Sequence, residues 1–266
     1  MELQKIWENI RLLRESAPLI HNITNYVVMN NTANALLAAG ASPVMAHAPE
    51  EVEDMVKIAQ ALVINIGTLS RDWVDAMKLA ISAAARYSKP WVLDPVGAGA
   101  TPYRNQVIAE LLEIAPPTAI RGNASEIMAM VASGRLTKGV DSQDSSLSAM
   151  DSGQILHQKY QCVVCISGKT DIVIASEQRA KIHNGHALMA QVTGLGCTAT
   201  TLIAAFLAIT TNPFEAVMSA MALMGIAGEL AAQEAAGPGS LQMHLLDKLY
   251  NLSQSEFDRT VKVEIG

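Results

Sequence analysis

The fold of this chain is decided by three consecutive stretches: Ala61-Leu62-Val63-Ile64-Asn65-Ile66, a helical pattern at 71–87, and Pro90-Trp91-Val92-Leu93. The two apolar runs have the length of buried strands, and the stretch between them is long enough for a crossover helix. A strand, a helix and a second strand in this order place two parallel neighbours in one sheet. The unit therefore predicts an α/β fold.

The same alternation continues on both sides of this unit. Further strands are predicted at 42–46, 118–120 and 162–167, and a local antiparallel pair at 171–176 and 179–184. Helices are predicted at the N-terminus and near 26–39, 50–59, 103–114, 124–132, 145–159, 197–210, 214–235 and 240–252. Because no repeat or linker interrupts the pattern, we predict one domain over residues 1–266. It has a central, mostly parallel sheet flanked by helices in three layers.

Composition excludes some classes of partner. The net charge is −6 with a pI near 5.5 and no basic run, which argues against a nucleic-acid surface. The N-terminal pattern is that of an amphipathic helix rather than a signal peptide, and the longest apolar stretch noted, 202–209, is shorter than the roughly 20 residues that span a bilayer. We therefore expect a cytoplasmic protein without a nucleic-acid or membrane partner.

Cysteine and histidine spacing gives no metal or redox motif. Cys162 and Cys165 fall in an apolar run that predicts a buried strand, so a structural role is favoured over a redox pair. His183 and His186 flank an Asn-Gly turn and do not have the spacing of a zinc site.

Two glycine-rich segments imitate nucleotide motifs without matching them. Gly168-Lys169-Thr170 lacks the earlier glycine of a phosphate-binding loop, because position 163 is Val. Gly97-Ala98-Gly99 is followed by Pro102 where a dinucleotide fingerprint requires a small residue. Neither motif predicts a cofactor.

Polar or glycine-rich segments follow five predicted strands, where ligands bind in open α/β sheets. They are Asn65-Ile66-Gly67-Thr68, residues 94–101, residues 121–126, Ser167-Gly168-Lys169 and residues 192–197. We expect them to form one site. An earlier stretch, Asn22-Ile23-Thr24-Asn25, leaves two interpretations open: Thr24 or Asn25 caps a helix, or these polar side chains line a small-molecule pocket.

Val192-Thr193-Gly194-Leu195-Gly196-Cys197 opens an apolar helix. Free N–H groups in a first helical turn suit an anion, and the same field favours the thiolate of Cys197. The alternative is a tight turn with a small buried cysteine. Asp94 and Glu126 follow strands and could hold Mg²⁺, although Glu126 could merely favour a helix N-terminus. Arg121 could bind phosphate oxygens.

These segments together resemble the hydroxyethylthiazole kinases of the ribokinase-like superfamily, from about residue 17 to about residue 252. The matching stretches are residues 21–25, 40–46, 65–69, 94–100, 121–127, Lys138-Gly139-Val140-Asp141 and Gly237-Pro238-Gly239-Ser240. The resemblance implies a ribokinase-like fold and transfer of the ATP γ-phosphoryl group to the hydroxyl of 4-methyl-5-(2-hydroxyethyl)thiazole. It also implies Mg²⁺ and a homotrimer with pockets between subunits.

The resemblance also implies roles for particular residues. Cys197 occupies the position where most ribokinase-like enzymes carry the catalytic Asp, and the amides of residues 194–196 form an anion hole. The residues implied for ATP are Arg121, Asn123, Ser167 and Gly196; for the thiazole, Asn25, Val27, Met45, Gly67 and Gly194; and for Mg²⁺, Asp94 and Glu126. Leu195, Ser167 and Lys169 depart from the residues usual in the family.

Three alternatives remain at this point. One is a kinase of another small heterocyclic alcohol, of the pyrimidine or pyridoxal type. A cysteine-nucleophile hydrolase would require a histidine beside Cys197. A protein that binds the thiazole or a nucleotide without turnover is the third.

Overall fold

The computed structural model describes residues 2–133 and 148–266. The stretch Lys138-Gly139-Val140-Asp141 and the first residues of the helix expected at 145–159 lie outside the described residues.

Nine strands of the described residues form one sheet, in the order β2-β1-β3-β4-β5-β6-β7-β8-β9. They are β1 Leu19–Ile23, β2 Ser42–Val44, β3 Ala61–Asn65, β4 Trp91–Asp94, β5 Ala119–Asn123, β6 Val163–Ser167, β7 Asp171–Ala175, β8 Gln178–Ile182 and β9 Val263–Ile265. Strands β1 to β6 pair in parallel, and β7, β8 and β9 add antiparallel to the β6 edge. The predicted mostly parallel sheet is confirmed.

Helices cover both faces of this sheet. They are α1 Glu2–Ser16, α2 Met29–Ala39, α3 Val52–Ile58, α4 Arg71–Arg86, α5 Pro102–Ile114, α6 Ala124–Ser133, α7 Ala149–Tyr160, α8 Leu195–Leu207, α9 Pro213–Glu234, α10 Pro238–Asn251 and α11 Gln254–Thr260. A short 3₁₀ helix, Ala187–Gln191, precedes α8.

Two separate cores lie on the two faces, because successive strand residues point to opposite sides. On β3, Val63 packs with α1, α2, α8, α9, α10 and α11, whereas Leu62 and Ile64 pack with helices α3 to α7. The arrangement has three layers, as expected. Cys165 lies in the first core and Cys162 in the second, so the two buried side chains point to opposite faces of the sheet.

α9 is the one helix of the described residues that is long and apolar enough to cross a membrane. The sequence analysis considered only the apolar stretch 202–209 as a candidate span and did not consider α9. However, 83% of its apolar window is buried inside the molecule, where α9 packs between α8 and α10. Its apolar composition is therefore explained by the core.

Strand β1 was not predicted, because polar His21 and Asn22 conceal it in the sequence. Both side chains are fully buried, and β1 pairs with β2 and β3. Asn22 donates to Ile20 O at 3.0 Å and accepts from Thr201 Oγ1 at 2.5 Å. The capping interpretation of Thr24 and Asn25 is wrong, because α2 begins only at Met29. β9 and α11 were not predicted either.

Candidate active site

The carboxyl ends of the parallel strands bring the predicted polar segments together. Asn65 at the end of β3 lies beside Asp94 at the end of β4, and Asn123 on β5 lies beside Ser167 on β6. The first turn of α8 completes this edge of the sheet, because Gly196 packs against Arg121 of β5. The expectation of one shared site at the strand ends agrees with this placement.

Gly194 gives α8 its N-terminal geometry. Its φ of +82° lies in the left-handed region, and a Cβ atom there would stand 2.6 Å from Val28 Cγ1. The first bond within the helix runs from Thr198 N to Gly194 O at 2.8 Å. The N–H groups of the preceding first turn are thus left for a ligand, which suits an anion.

Leu195 departs from the family without disturbing this turn. Its side chain is 7% exposed and belongs to the core that contains Ala35 of α2 and Leu245 of α10. Because the side chain packs inward, the amide of Leu195 stays in the first turn of α8.

Arg121 lies directly against this turn. A Cβ atom on Gly196 would stand 2.5 Å from Arg121 Nη1, and Nη2 donates to Ser167 Oγ at 2.5 Å. The Nε atom is buried without a partner among the described residues. Three of the four residues implied for ATP, namely Arg121, Ser167 and Gly196, therefore meet at one point. Lys169 is exposed in the turn that follows β6.

Asn123, the fourth of these residues, caps α6. Its Oδ1 accepts from Glu126 N at 2.9 Å, and Glu126 Oε2 accepts from Asn123 N at 2.9 Å. This reciprocal pair is a capping box. The other Glu126 oxygen accepts from Gly97 N at 2.9 Å, so the carboxylate also holds the loop that follows β4.

Asp94 is fully buried at the end of β4. Its Oδ2 accepts from Asn65 Nδ2 at 2.8 Å and from Thr200 Oγ1 at 2.9 Å, whereas Oδ1 has no partner among the described residues. Burial raises the pKa of this carboxyl group, and the nearby Arg121 charge opposes the rise. An unpartnered buried carboxylate oxygen is an acceptor that a cation could satisfy.

The residues present fit a Mg²⁺ ion. Asp94 Oδ1 is free, and each Glu126 oxygen accepts one bond while a carboxylate oxygen offers two acceptor positions. No group of three or more His, Cys, Asp or Glu side chains that could hold a metal occurs within residues 2–133 and 148–266. Mg²⁺ takes few protein carboxylates and completes its shell with water and phosphate.

Cys197 has surroundings that disfavour its thiolate. Its Sγ lies 3.6 Å from Asn25 Nδ2. Burial, with a further contribution from the Asp94 charge, raises the pKa of the thiol to about 12. Burial and the Asp94 charge thus oppose the expected preference of the helix field for the thiolate. The catalytic role of Cys197 itself stays a prediction.

The six histidines of the chain all have contacts elsewhere. His21 binds Ala46 O, His47 stacks on Trp73, and His157 binds Cys162 O. The remaining three, His183, His186 and His244, contact Glu264, Leu188 N and Glu234 respectively. The contacts of Cys197 among the described residues, with Asn25, Asn65, Asp94 and Arg121, include no histidine.

Of the residues implied for the thiazole, Asn25 contacts Cys197 and Gly67 packs against Asn25. Asn25 Nδ2 donates to Asn65 Oδ1 at 2.8 Å, and a Cβ atom on Gly67 would stand 2.6 Å from Asn25 Nδ2. Val27 N donates to Asn25 Oδ1 at 3.1 Å, but the Val27 side chain is 61% exposed. Met45 is half-buried just after the edge strand β2.

Sequence reasoning placed Asn65 in a site segment without assigning it a role, and it did not select Thr200. Asn65 accepts from Asn25 and donates to Asp94, so it bridges the thiazole residues and the acid. Thr200, one turn into α8, donates to the same Asp94 oxygen. An asparagine near the end of an apolar strand run was the available signal for Asn65; Thr200 gave none within its apolar helix.

Comparison with known proteins identifies the family. The model of the hydroxyethylthiazole kinase family matches residues 10–255. The chain belongs to this family. It is 55% identical to a hydroxyethylthiazole kinase of Syntrophus aciditrophicus over 264 residues, covering 99% of this chain and 98% of the relative. A hydroxyethylthiazole kinase of Leptospira biflexa is 55% identical over 251 residues, or 94% of each chain.

Solved structures agree with this membership. The hydroxyethylthiazole kinase protein from Pyrococcus horikoshii OT3 has a TM-score of 0.90 and 41% identity, with 99% of each chain covered. A pyridoxal kinase from Staphylococcus aureus in complex with AMP-PCP has a TM-score of 0.67 at 16% identity, covering 94% of this chain and 98% of its own. The second likeness shows a shared ribokinase-like fold.

Proposed function

We propose that this family member transfers the γ-phosphoryl group of ATP to the hydroxyl of 4-methyl-5-(2-hydroxyethyl)thiazole. The observation that carries the proposal is the meeting of Arg121 with the first turn of α8, next to Asn25 and Gly67. That arrangement supports an anion site beside the residues proposed for the small-molecule pocket. The family to which the chain belongs supports a hydroxyethylthiazole as the acceptor.

Phosphoryl transfer requires positioning and charge stabilisation more than covalent help from the protein. In this proposal the amides of residues 195–197 and the Arg121 guanidinium bind the oxygens of the transferred group. Ser167 holds Arg121 Nη2, which keeps the guanidinium against Gly196. The alcohol oxygen forms a bond to phosphorus on the side of Cys197, and the bond to ADP breaks.

Mg²⁺ is the cofactor of this proposal, with Asp94 and Glu126 as the residues that hold it. When bound, the ion neutralises part of the phosphate charge. Asn65 and Thr200 orient Asp94 so that its unpartnered Oδ1 is the oxygen available.

Cys197 contributes little as a base in this proposal, because its thiol is protonated at neutral pH. Asn25 and Cys197 border the reacting hydroxyl. The alcohol proton passes to solvent when the phosphate ester forms. A loose transition state needs little removal of that proton beforehand.

A second copy of the chain completes the thiazole side in this proposal, in a homotrimer with pockets between subunits. Support comes from Tyr26 and Val27, which are 63% and 61% exposed next to buried Asn25. Apolar side chains beside a binding site favour a covering surface. We further propose that residues 1–266 form a single domain and that the protein is cytoplasmic.

The experiment that tests the function is ADP release from Mg-ATP with and without hydroxyethylthiazole, with mass detection of the product. Thiazole-dependent ADP and a thiazole phosphate are expected. ADP release that requires a pyrimidine or pyridine alcohol instead of the thiazole would overturn the proposal that the thiazole is the acceptor. Binding of ATP and thiazole without any ester would overturn the proposed reaction.

A further inference from the structure

Arg104, in the first turn of α5, binds two loops of the active site at once. Its Nη1 donates to Ile66 O at 2.6 Å and to Val96 O at 2.7 Å, and its Nη2 donates to Gly67 O at 2.9 Å. All three acceptors are backbone carbonyls. Sequence reasoning did not select this residue, because nothing in its local pattern indicates such contacts.

The two loops belong to different halves of the site. Residues 66–68, here the thiazole loop, follow β3 and contain Gly67. Residues 95–99, here the acid loop, follow Asp94 of β4 and contain Val96 and Gly97. Because the guanidinium is planar and its donors are fixed in direction, one side chain sets the relative position of three carbonyls.

The acid loop is shaped around this side chain. Gly97 has a φ of +73°, and a Cβ atom there would stand 3.3 Å from both Cδ and Nε of Arg104. The Gly97 N–H is held from the opposite direction by Glu126 Oε1 at 2.9 Å. Asn105, the next residue of α5, accepts from Gly99 N at 2.8 Å. The first turn of α5 therefore hydrogen-bonds the acid loop at two points, Val96 O and Gly99 N.

The thiazole loop is held just as closely. The Gly67 N–H donates to Asn65 Oδ1 at 2.9 Å, while the Gly67 carbonyl accepts from Arg104. Space beyond Gly67 is limited, since even an added Cβ atom would stand 2.6 Å from Asn25 Nδ2. A shift of Gly67 toward Asn25 would therefore displace the side chain that contacts Cys197.

We propose that Arg104 is a positioning residue that sets the separation of the thiazole loop and the acid loop, and thereby aligns the acceptor alcohol with the phosphoryl group. The proposal rests on the proposed function. Arg104 acts through Gly67 and Val96 and does not itself contact the reacting atoms. Its loss affects the binding of the alcohol and the chemical step more than the binding of ATP.

The kinetic test compares Arg104→Ala and Arg104→Lys with Arg86→Ala. Arg86 is an exposed arginine of α4 paired with Glu53, so its loss matches the lost side chain without touching either loop. For Arg104→Ala we expect kcat/KM for the thiazole to fall about 30-fold, because a displacement of about 1 Å can cost about 100-fold. The KM for ATP stays within about twofold. Lysine restores only part of the loss, because its compact ammonium group lacks the planar, fixed donors of a guanidinium.

Chemical rescue separates positioning from a general effect on folding. Free guanidinium, well below denaturing concentration, is expected to restore part of the Arg104→Ala activity by occupying the vacated space. It should not accelerate Arg86→Ala, and equal NaCl should rescue neither variant. Equal increases in the KM for ATP and in the KM for the thiazole, or rescue by NaCl alone, would overturn the proposal.

Hydrogen exchange tests the proposal independently of turnover. Arg104→Ala is expected to speed amide exchange in residues 66–68 and 95–99, with Arg86→Ala unchanged there. Unchanged exchange in both loops would overturn the proposal. If the wild-type protein made no thiazole phosphate but Arg104→Ala still exchanged faster in both loops, the proposed function would fail while the structural core of this inference stood.

Discussion

The phosphoryl side and the thiazole side of the site are built differently. On the phosphoryl side, Asp94 is fully buried and Arg121 is hydrogen-bonded to Ser167. The N-cap of α8 is Gly194, whose left-handed φ favours glycine. On the thiazole side, buried Asn25 stands next to Val27, which is 61% exposed. In the proposed function, the chain completes the anion site internally, whereas the proposed acceptor side keeps an exposed apolar residue.

The difference has a physical reason. An anion site needs donors fixed in direction and kept from water, which a helix terminus and a buried arginine supply within one chain. An acceptor pocket for a flat apolar ring needs apolar surface, which a neighbouring subunit can supply. Substitutions on the two sides should therefore alter different kinetic constants.

Gly196→Ala is expected to have the largest effect, and to act on the phosphoryl side. The added methyl would stand 2.5 Å from Arg121 Nη1 and displace the guanidinium. We expect kcat/KM for ATP to fall about 100-fold, the scale of losing one preorganised charge contact. Steady-state kinetics with varied ATP measure this.

The control is Gly239→Ala, because a Cβ atom on Gly239 in α10 meets nothing within 4 Å. It should change kcat/KM for ATP by less than about twofold. Equal effects of the two substitutions would contradict the placement of Arg121.

Val27→Ala tests the thiazole side. The substitution removes two methyl groups from a side chain that thiazole binding buries, which costs about 1.5 kcal/mol. The KM for the thiazole should therefore rise about tenfold. The KM for ATP should stay the same. Leu79→Ala, at a 45% exposed leucine of α4, serves as the control. A rise in the KM for ATP instead would break the division into two sides.

Cys197→Asp is expected to keep or raise turnover, by at most about tenfold. The native thiol is protonated at neutral pH, because burial raises its pKa to about 12, whereas a carboxylate can accept the alcohol proton. Burial and Asp94 would also raise the pKa of the new carboxyl group, so the gain should increase with pH. The measurement is kcat from pH 6 to 9, with Cys197→Ser as a non-ionising control. Complete loss of activity in a folded variant would refute this prediction.

Asp171→Asn should affect stability and leave kinetics nearly unchanged. Asp171 Oδ1 accepts from Gly168 N at 2.9 Å beside Ser167, and asparagine keeps that acceptor. Burial raises the pKa of Asp171 from 3.8 to about 6. The folded protein therefore binds more protons than the unfolded chain between these values, and this residue's contribution to stability falls as pH rises through them.

The stability difference between the variant and the wild type should accordingly be pH-dependent. It should be near zero below pH 3.8, grow in favour of asparagine up to about pH 6, and then stay constant at no more than about 3 kcal/mol. Urea unfolding at several pH values measures it. A difference that does not change with pH would contradict the burial of an ionised Asp171.

Much of the fold could be predicted because its signals are local. Apolar runs, helical periodicity and a proline in the first turn of a helix, such as Pro102 of α5, are signals within a few residues of one another. Strand β1 was missed because His21 and Asn22 break the apolar run. Their partners, Ala46 O and Thr201 Oγ1, are distant in sequence. Polar residues in a central strand are recognisable only when those partners are known.

The candidate site was predicted in part for the same reason. Its glycines, acids and cysteine follow strands, and their order along the chain carries the family resemblance. The roles of Asn65, Thr200 and Arg104 depend on contacts between segments far apart in sequence. The effect of Leu195 also depended on where its side chain packs, which the turn sequence does not indicate.

By itself, the sequence determined most of the strands and helices, the segments that reach the carboxyl edge of the sheet, and the family resemblance. These follow from periodicity and from residue types at fixed local spacing. Only the tertiary structure decided that burial raises the pKa of Cys197 and which oxygen of Asp94 is free. It also decided that Arg104 joins two loops. Burial and long-range hydrogen bonds set such properties, and both arise only when distant segments pack together.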